Sequence, residues 1–193
     1  MLPHPIPQQI YLRPFIEMDV PGLIGWITSP LLLIQWAGPG HLTYPLTAAQ
    51  LSQFLSVSTE ANEALMAFSA INEEGGICGH VQLGAINAQN QTASLCRVMV
   101  APDTRGTGCC QRIVREALRL GFMDLDLRRI QLNVYSFNEP AIRCYTSAGF
   151  VKEGLLRKSL KVGSEFWDTV VMAVLKEEWD QLQPSGGKPQ GSS

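Results

Sequence analysis

The chain has 193 residues, 46% of them hydrophobic and 17% charged. That composition supports one globular domain with its own core and excludes a disulfide miniprotein or a disordered chain. Fifteen Lys and Arg against 17 Asp and Glu give a formal charge of -2, so the overall field that drives binding to phosphate backbones or anionic lipid is missing, and neither nucleic acid nor membrane is expected as a partner. The five cysteines (Cys78, Cys96, Cys109, Cys110, Cys144) are odd in number, lack a CxxC pair and lie in apolar runs. They are expected to be reduced thiols of a cytoplasmic protein. Ile24 to Gly40, the longest apolar candidate, is broken by Pro30 and Pro39 and falls short of the roughly 20 residues that span a bilayer. Met1 to Gln8 has three prolines and no basic region, so no secretory signal is expected. The expectation is a single domain over 1–182 and a flexible Gly/Ser/Pro-rich tail over 183–193.

In chain order, Ile10 to Arg13 predicts a short strand. Glu17 to Ile27 and Thr47 to Ser58 predict helices, the second capped by Thr47, with Trp36 to His41 a loop between them. Ala64 to Ile71, Gly79 to Ile86 and Ala93 to Ala101, joined by turn-rich segments, predict an antiparallel meander. From Cys110 to Leu125 the apolar residues recur at helical spacing with Arg112, Arg115 and Arg119 opposite. Arg129 to Tyr135 returns to strand. Asn138 then caps a helix that has Pro140 in its first turn and stops at Gly149, and Phe150 to Leu160 and Glu165 to Leu175 close the chain as a strand pair.

The segment Val98-Met-Val-Ala-Pro-Asp-Thr-Arg-Gly-Thr-Gly-Cys-Cys110 delivers a strand into a glycine-containing turn that opens a helix. The unpaired N–H groups and positive dipole end of such a helix can cradle a pyrophosphate. Gly106 and Gly108 remove the Cβ atoms that would keep phosphate oxygens away, and Arg105 adds a cation. The pattern is neither a P-loop nor a completed GxGxxG fingerprint. About one helix and one strand downstream lies Asn133-Val-Tyr-Ser-Phe-Asn-Glu-Pro-Ala-Ile-Arg-Cys-Tyr-Thr-Ser-Ala-Gly-Phe150.

Together the two segments resemble the GNAT superfamily of acetyl-CoA-dependent N-acetyltransferases. The first family motif matches at Arg105 and Gly108 and departs at its sixth position, where Cys110 stands for Gly or Ala. The second, N-x-x-A-x-x-x-Y-x-x-x-G-F, matches in full at Asn138, Ala141, Tyr145, Gly149 and Phe150. The opening YLRPF and the closing FWDTVVMAVLKEEW look most like the group that contains ribosomal-protein N-terminal acetyltransferases. The resemblance implies a mixed α/β GNAT acyltransferase fold, with a mostly antiparallel twisted sheet of about seven strands and about four helices.

It also implies acetyl-CoA as cosubstrate and no metal. Val98, Met99 and Val100 would pair with pantetheine, and the N–H groups of Gly106, Thr107, Gly108, Cys109, Cys110 and Gln111 would hold the pyrophosphate. Asn138 and Ala141 would line the pantetheine arm. Tyr145 would protonate the departing thiolate, a reasonable transfer from a phenol of pKa near 10 to a thiolate of about 8.5. Trp26, Trp36 and Tyr44 would form the acceptor wall.

An alkyl amine of pKa about 10.4 is less than about 0.1% neutral at pH 7, so a base is needed, yet Ala93 to Val100 and Ile130 to Tyr135 hold no carboxylate. His80, or a water chain leading to it, is the candidate base, with Glu17, Asp19 and Glu165 as further options. Cys109-Cys110 raises a covalent acetyl-cysteine route, against which the resemblance implies direct transfer in a ternary complex. The acceptor is an amine, on a small molecule or a protein N-terminus, and a homodimer is left open. The rival reading is a catalytically silent acyl-CoA-binding sensor. Residues 1–96 carry one basic and six acidic side chains, and 97–129 seven basic and four acidic. This predicts an acidic part suited to a cationic amine and a basic part suited to CoA phosphates.

Overall fold

A computed structural model describes residues 9–60 and 64–182; the segment 1–8 and the predicted tail 183–193 lie outside the described residues. Strands β1 (Tyr11–Pro14), β2 (Ala64–Ile71), β3 (Ile77–Asn87), β4 (Thr92–Val100), β5 (Arg129–Tyr135), β6 (Val151–Val162) and β7 (Glu165–Leu175) form one sheet in the order β1-β2-β3-β4-β5-β7-β6. Every neighbouring pair is antiparallel except β4 with β5. Six α-helices are described: α1 (Val20–Trp26), α2 (Pro30–Ala37), α3 (Ala48–Glu60), α4 (Cys109–Arg119), α5 (Glu139–Ala148) and α6 (Lys176–Leu182).

The meander β2-β3-β4 follows from its turns. Asn72 closes the first by accepting from Gly76 N–H at 2.7 Å, and Asn87 closes the second by accepting from Asn90 N–H at 2.8 Å. A parallel β4–β5 pair cannot be joined by a tight turn, so the chain crosses over through α4. This helix buries Ile113, Val114, Ala117 and Leu118 and turns Arg115 and Arg119 outward. It does not continue regularly to Leu125: its last turn widens into a π turn over Leu120–Asp124 that buries Phe122.

The two faces of the sheet carry separate cores. On one face α4 packs over β3 and β4, with α5 and Trp179 of α6 completing the cluster; on the other, α1 and α2 close over Met99 together with Leu46 and Leu51. Gly79 in β3 permits the first packing, because a Cβ there would collide with Ile113 and sit 2.7 Å from the Met99 carbonyl.

Two helices depart from the expectation. In α2 the Ser29 hydroxyl accepts from Leu32 N–H at 3.2 Å and Pro30 occupies the first turn, an N-terminal signal hidden by the surrounding apolar run. In α6 the Glu178 carboxylate accepts from Leu175 N–H at 2.9 Å, which ends β7 and starts a helix that buries Trp179. The cysteine expectation is corrected as well. Cys110 and Cys144 form a disulfide, because α4 and α5 pack side by side and bring residues 34 apart in sequence to a Cα–Cα distance of 6.3 Å. Cys78, Cys96 and Cys109 are free.

A polar seam runs beneath α1 and α2. Asp19, 3% exposed, accepts two hydrogen bonds from Arg13 at 2.6 and 2.7 Å, one from the Ser69 hydroxyl at 2.6 Å and one from Ile16 N–H at 3.0 Å. Burial alone would raise its pKa, but these donors outweigh burial and hold it at about 2. His80, 1% exposed, is pushed down to about 3 by burial and then by the Arg97 charge, with Asp19 pulling weakly the other way.

Both groups make the fold acid-sensitive. His80 binds a proton better in the unfolded chain, so its contribution is intact above about pH 7 and is lost as pH falls from its ordinary 6.5 toward 3, which amounts to about 2 kcal/mol between pH 7 and pH 5. Asp19 adds a further loss as pH falls from about 4 toward 2. Urea unfolding at pH 7 and pH 5 is expected to show the first loss in the wild-type chain and a nearly pH-independent stability over this range in His80→Gln.

Candidate active site

β4 and β5 pair only from Thr92↔Arg129 to Ser94↔Gln131 and then diverge. Beyond that point Leu95 to Val100 and Leu132 to Tyr135 line a cleft of about 1140 Å³. The divergence coincides with a bulge: the β3–β4 register shifts between His80 and Gln82, and Arg97 takes a left-handed φ of 51°. Three contacts hold it. Trp36 Nε1 donates to the Arg97 carbonyl at 2.9 Å, Arg97 Nη1 donates to Gln82 Oε1 at 2.9 Å, and the guanidinium lies 4.5 Å from the Phe54 ring centre.

At the end of β4 the chain enters the turn before α4. Gly106 and Gly108 have φ of 78° and 81°, conformations that cost a side-chain-bearing residue about 1 kcal/mol or more. Arg105, Gly106, Gly108, Cys109, Cys110 and Gln111 face the cleft. Among the described residues no backbone acceptor makes a well-formed hydrogen bond to the N–H groups of Gly106, Gly108, Cys109, Cys110 or Gln111, which leaves these donors at the dipole end of α4. Thr107 is the exception among the expected cofactor residues. It does not line the cleft, and its N–H and hydroxyl both turn back to the Thr104 carbonyl. The Val100 carbonyl accepts from Arg105 Nε at 3.3 Å, which leaves Val98 as the less encumbered backbone edge.

The opposite wall comes from α5. Asn138 caps it by accepting from Ala141 N–H at 3.3 Å, a bond that uses the amide oxygen and leaves the amide NH₂ for the cleft. Tyr145 lines the cleft, and its phenol is held protonated by burial and secondarily by the neighbouring Cys96. α4 and α5 are joined by the Cys110–Cys144 disulfide and by Gln111 and Arg115, both of which donate to the Ser147 carbonyl.

Of the residues expected on the acceptor side, only Trp36 reaches the cleft. Trp26 packs in the second core, and exposed Tyr44 donates to the Thr28 carbonyl. His80 is sealed in the sheet between Phe15 and Trp36, its Nε2 meets the Gln82 amide at 2.9 Å, and it does not line the cleft. Asp19 is buried against Arg13, and Glu17 and Glu165 are exposed outside the cleft. The expected acidic lining is not there: among the described residues the cleft is lined by Arg97, Arg105 and Arg143 and by no carboxylate or histidine. Sequence reasoning passed over Tyr135, Ser159 and Thr169, which line the far end, where the Ser159 hydroxyl donates to Thr169 Oγ1 at 2.7 Å. A β6 bulge between Leu156 and Leu160 sets Ser159 there, and no local pattern announces it.

A glycine turn with unmet N–H groups, a splayed strand edge and a protonated tyrosine thus line one cleft, and the comparisons show the class of protein that carries it, an acetyl-CoA-dependent N-acetyltransferase. Residues 32–150 match the acetyltransferase (GNAT) family, and the chain belongs to that family. It is 27% identical over 139 residues to the SPbeta prophage-derived uncharacterized N-acetyltransferase YokL of Bacillus subtilis, covering 72% of this chain and 77% of that one. To the spermidine N(1)-acetyltransferase of Vibrio cholerae it is 28% identical over 112 residues, covering 58% and 64%. To the putative ribosomal N-acetyltransferase YdaF of Bacillus subtilis it is 27% identical over 107 residues, covering 55% and 58%. The crystal structure of the Vibrio cholerae spermidine enzyme with CoA and spermine shares the fold, with a TM-score of 0.76 at 23% identity over 89% of this chain and 98% of that one.

The turn is expected to be intolerant of side chains. Gly108→Val strains a left-handed position and intrudes on the donors, so acetyl-CoA binding should weaken by at least about tenfold, equivalent to about 1.4 kcal/mol. Calorimetric titration with CoA measures this directly.

Proposed function

We propose that the cleft catalyses transfer of an acetyl group from acetyl-CoA to the primary amine of a small molecule, by direct attack in a ternary complex. The observation that carries this reading is the opening between β4 and β5, whose lining includes both the turn before α4 and Tyr145 of α5. The N–H groups of Gly106 and of Gly108 to Gln111, with Arg105, bind the pyrophosphate. The Val98 edge and the Asn138 amide orient the pantetheine arm. Acetyl-CoA supplies the activated acyl group. Tyr145 gives its proton to the sulfur that leaves; burial keeps the phenol protonated but makes it a weaker acid than free tyrosine, so the transfer waits on negative charge developing on the sulfur beside it.

The far end of the cleft, formed by Trp36, Tyr135, Leu156, Ser159, Leu160 and Thr169, is neutral and partly apolar. Such a wall disfavours the charged form of a bound amine and so raises the neutral fraction that can attack. With no carboxylate or histidine lining the cleft among the described residues, the amine proton leaves through water. A covalent acetyl-cysteine route has little to support it. Cys110 is bonded to Cys144, and Cys109, 2% exposed, points its thiol at the Cys78 carbonyl. Three relatives are named for spermidine, which supports a small-molecule amine as acceptor. The missing side-chain base is the one observation that favours the rival, a silent acyl-CoA sensor.

A thiol-release assay with acetyl-CoA across an amine panel separates the two, since release with any amine supports the enzyme and CoA binding with no release supports the sensor. Tyr145→Phe is expected to lower kcat by about 100-fold or more while leaving CoA affinity within a few-fold. With no enzymic base, kcat/KM for an alkyl amine should climb about tenfold per pH unit from pH 6 to pH 8, following the neutral amine. An inflection near pH 6 to 7 would overturn that account of proton removal.

A further inference from the structure

One row of side chains crosses three strands at the far end of the cleft. Tyr135 of β5 stands opposite Thr169 of β7, and Thr169 stands opposite Leu156 of β6. Directly opposed residues share a face of the sheet, and all three line the cleft. Tyr135 is backed by Phe137 and Trp167, with ring centres at 5.7 and 5.0 Å. Its hydroxyl reaches the Ile34 carbonyl of α2 at 3.5 Å, and α2 also gives Trp36 to the cleft, so Tyr135 ties the strand wall to the helix wall. The row is neutral. Nearby, Arg97 donates to the Gln82 amide and lies over the Phe54 ring, and among the described residues no carboxylate stands within ion-pair distance of its guanidinium.

We propose that the acceptor is a primary monoamine whose remainder is uncharged and largely apolar, and that the Tyr135–Thr169–Leu156 row selects it against diamines and polyamines. The assignment deepens the acetyltransferase reading above and rests on it. The nitrogen that attacks must be neutral, and a wall without anions beside a guanidinium favours its loss of a proton. A second ammonium on the same molecule gains nothing from that loss. It must leave water for a wall that holds hydroxyls, aromatic rings and leucines, where no carboxylate among the described residues repays its desolvation. An alkyl or aryl remainder meets Trp36, Tyr135, Leu156 and Leu160 there and is stabilised by the apolar surface it covers. The same row therefore separates this chain from the relatives named for spermidine, whose substrate carries further amines beyond the one acetylated.

The test compares hexylamine with 1,6-diaminohexane, two acceptors of one carbon chain that differ by the second ammonium, and adds spermidine, using thiol release from acetyl-CoA by the full chain at pH 8. Hexylamine is expected to give a kcat/KM at least about tenfold above either polycation. Leu156 is 50% exposed, so replacing it spares the core. Leu156→Glu supplies the missing anion and should raise the diamine-to-monoamine ratio of kcat/KM by about tenfold. Leu156→Gln, of the same size without the charge, should hold that ratio within about threefold of wild type. A merely structural defect lowers both rates and does not move their ratio. Equal or better use of 1,6-diaminohexane or spermidine by the wild-type chain overturns this assignment alone, as does a ratio that shifts as far in Leu156→Gln as in Leu156→Glu. Release from no amine, with CoA binding intact by calorimetry, overturns the acetyltransferase reading and this assignment with it. The wild-type comparison of the matched amines stands whether or not a Leu156 variant folds.

Discussion

Everything in the site depends on two neighbouring strands failing to stay paired. Parallel β4 and β5 share only a short ladder, and the loss of pairing after Ser94 and Gln131 exposes backbone edges that a regular sheet would have consumed. An open sheet edge is ordinarily a liability; here it is protected because it faces the interior of a cleft. The bulge at Arg97 makes the separation, and a left-handed φ on an arginine in mid-strand costs energy that its surroundings must offset. Trp36 does so through the Arg97 carbonyl and Gln82 through its guanidinium. Because Trp36 belongs to α2 and Gln82 to β3, the cleft is held open by elements outside the β4–β5 pair.

The same clamp explains why the polar seam is buried. Gln82 reaches both Arg97 and His80, and the Arg97 charge helps to keep His80 neutral. His80 is thus a packing and hydrogen-bonding element of the scaffold rather than a proton acceptor at the surface of the cleft. The expectation that it serves as base rests on its strand position, and strand position does not say which face of the sheet is covered by helices. Charge bookkeeping along the chain meets the same limit. The acidic first half does not create an acidic cleft, since Asp19 is neutralised by Arg13 within the seam and Glu17 lies exposed outside the cleft.

Local interactions make much of the molecule legible in the order of its residues. Asn138, Pro140 and Gly149 bracket α5 through contacts within four residues, and Gly106 and Gly108 mark a turn because only glycine accepts those torsions cheaply. The apolar stripe of α4 is a periodicity within one element. These features point to the family and to a set of residues that all line the cleft except Thr107, whose backbone and hydroxyl turn inward.

What the sequence alone determined, then, is the set of elements with short-range signals and the motif residues carried on them: the meander, α4 with its glycine turn, β5 and α5 with Asn138 and Tyr145. Tertiary structure alone decided the rest, because each remaining feature joins residues far apart in the chain. The β4–β5 opening needs Trp36 across the sheet, the Cys110–Cys144 bond needs α4 beside α5, and the neutral far wall needs a β6 bulge to turn Ser159 toward Thr169. Short-range pattern records torsional preference and amphipathicity. It carries no information about which distant side chain will supply the partner, and in this protein the partners set the chemistry of the cleft.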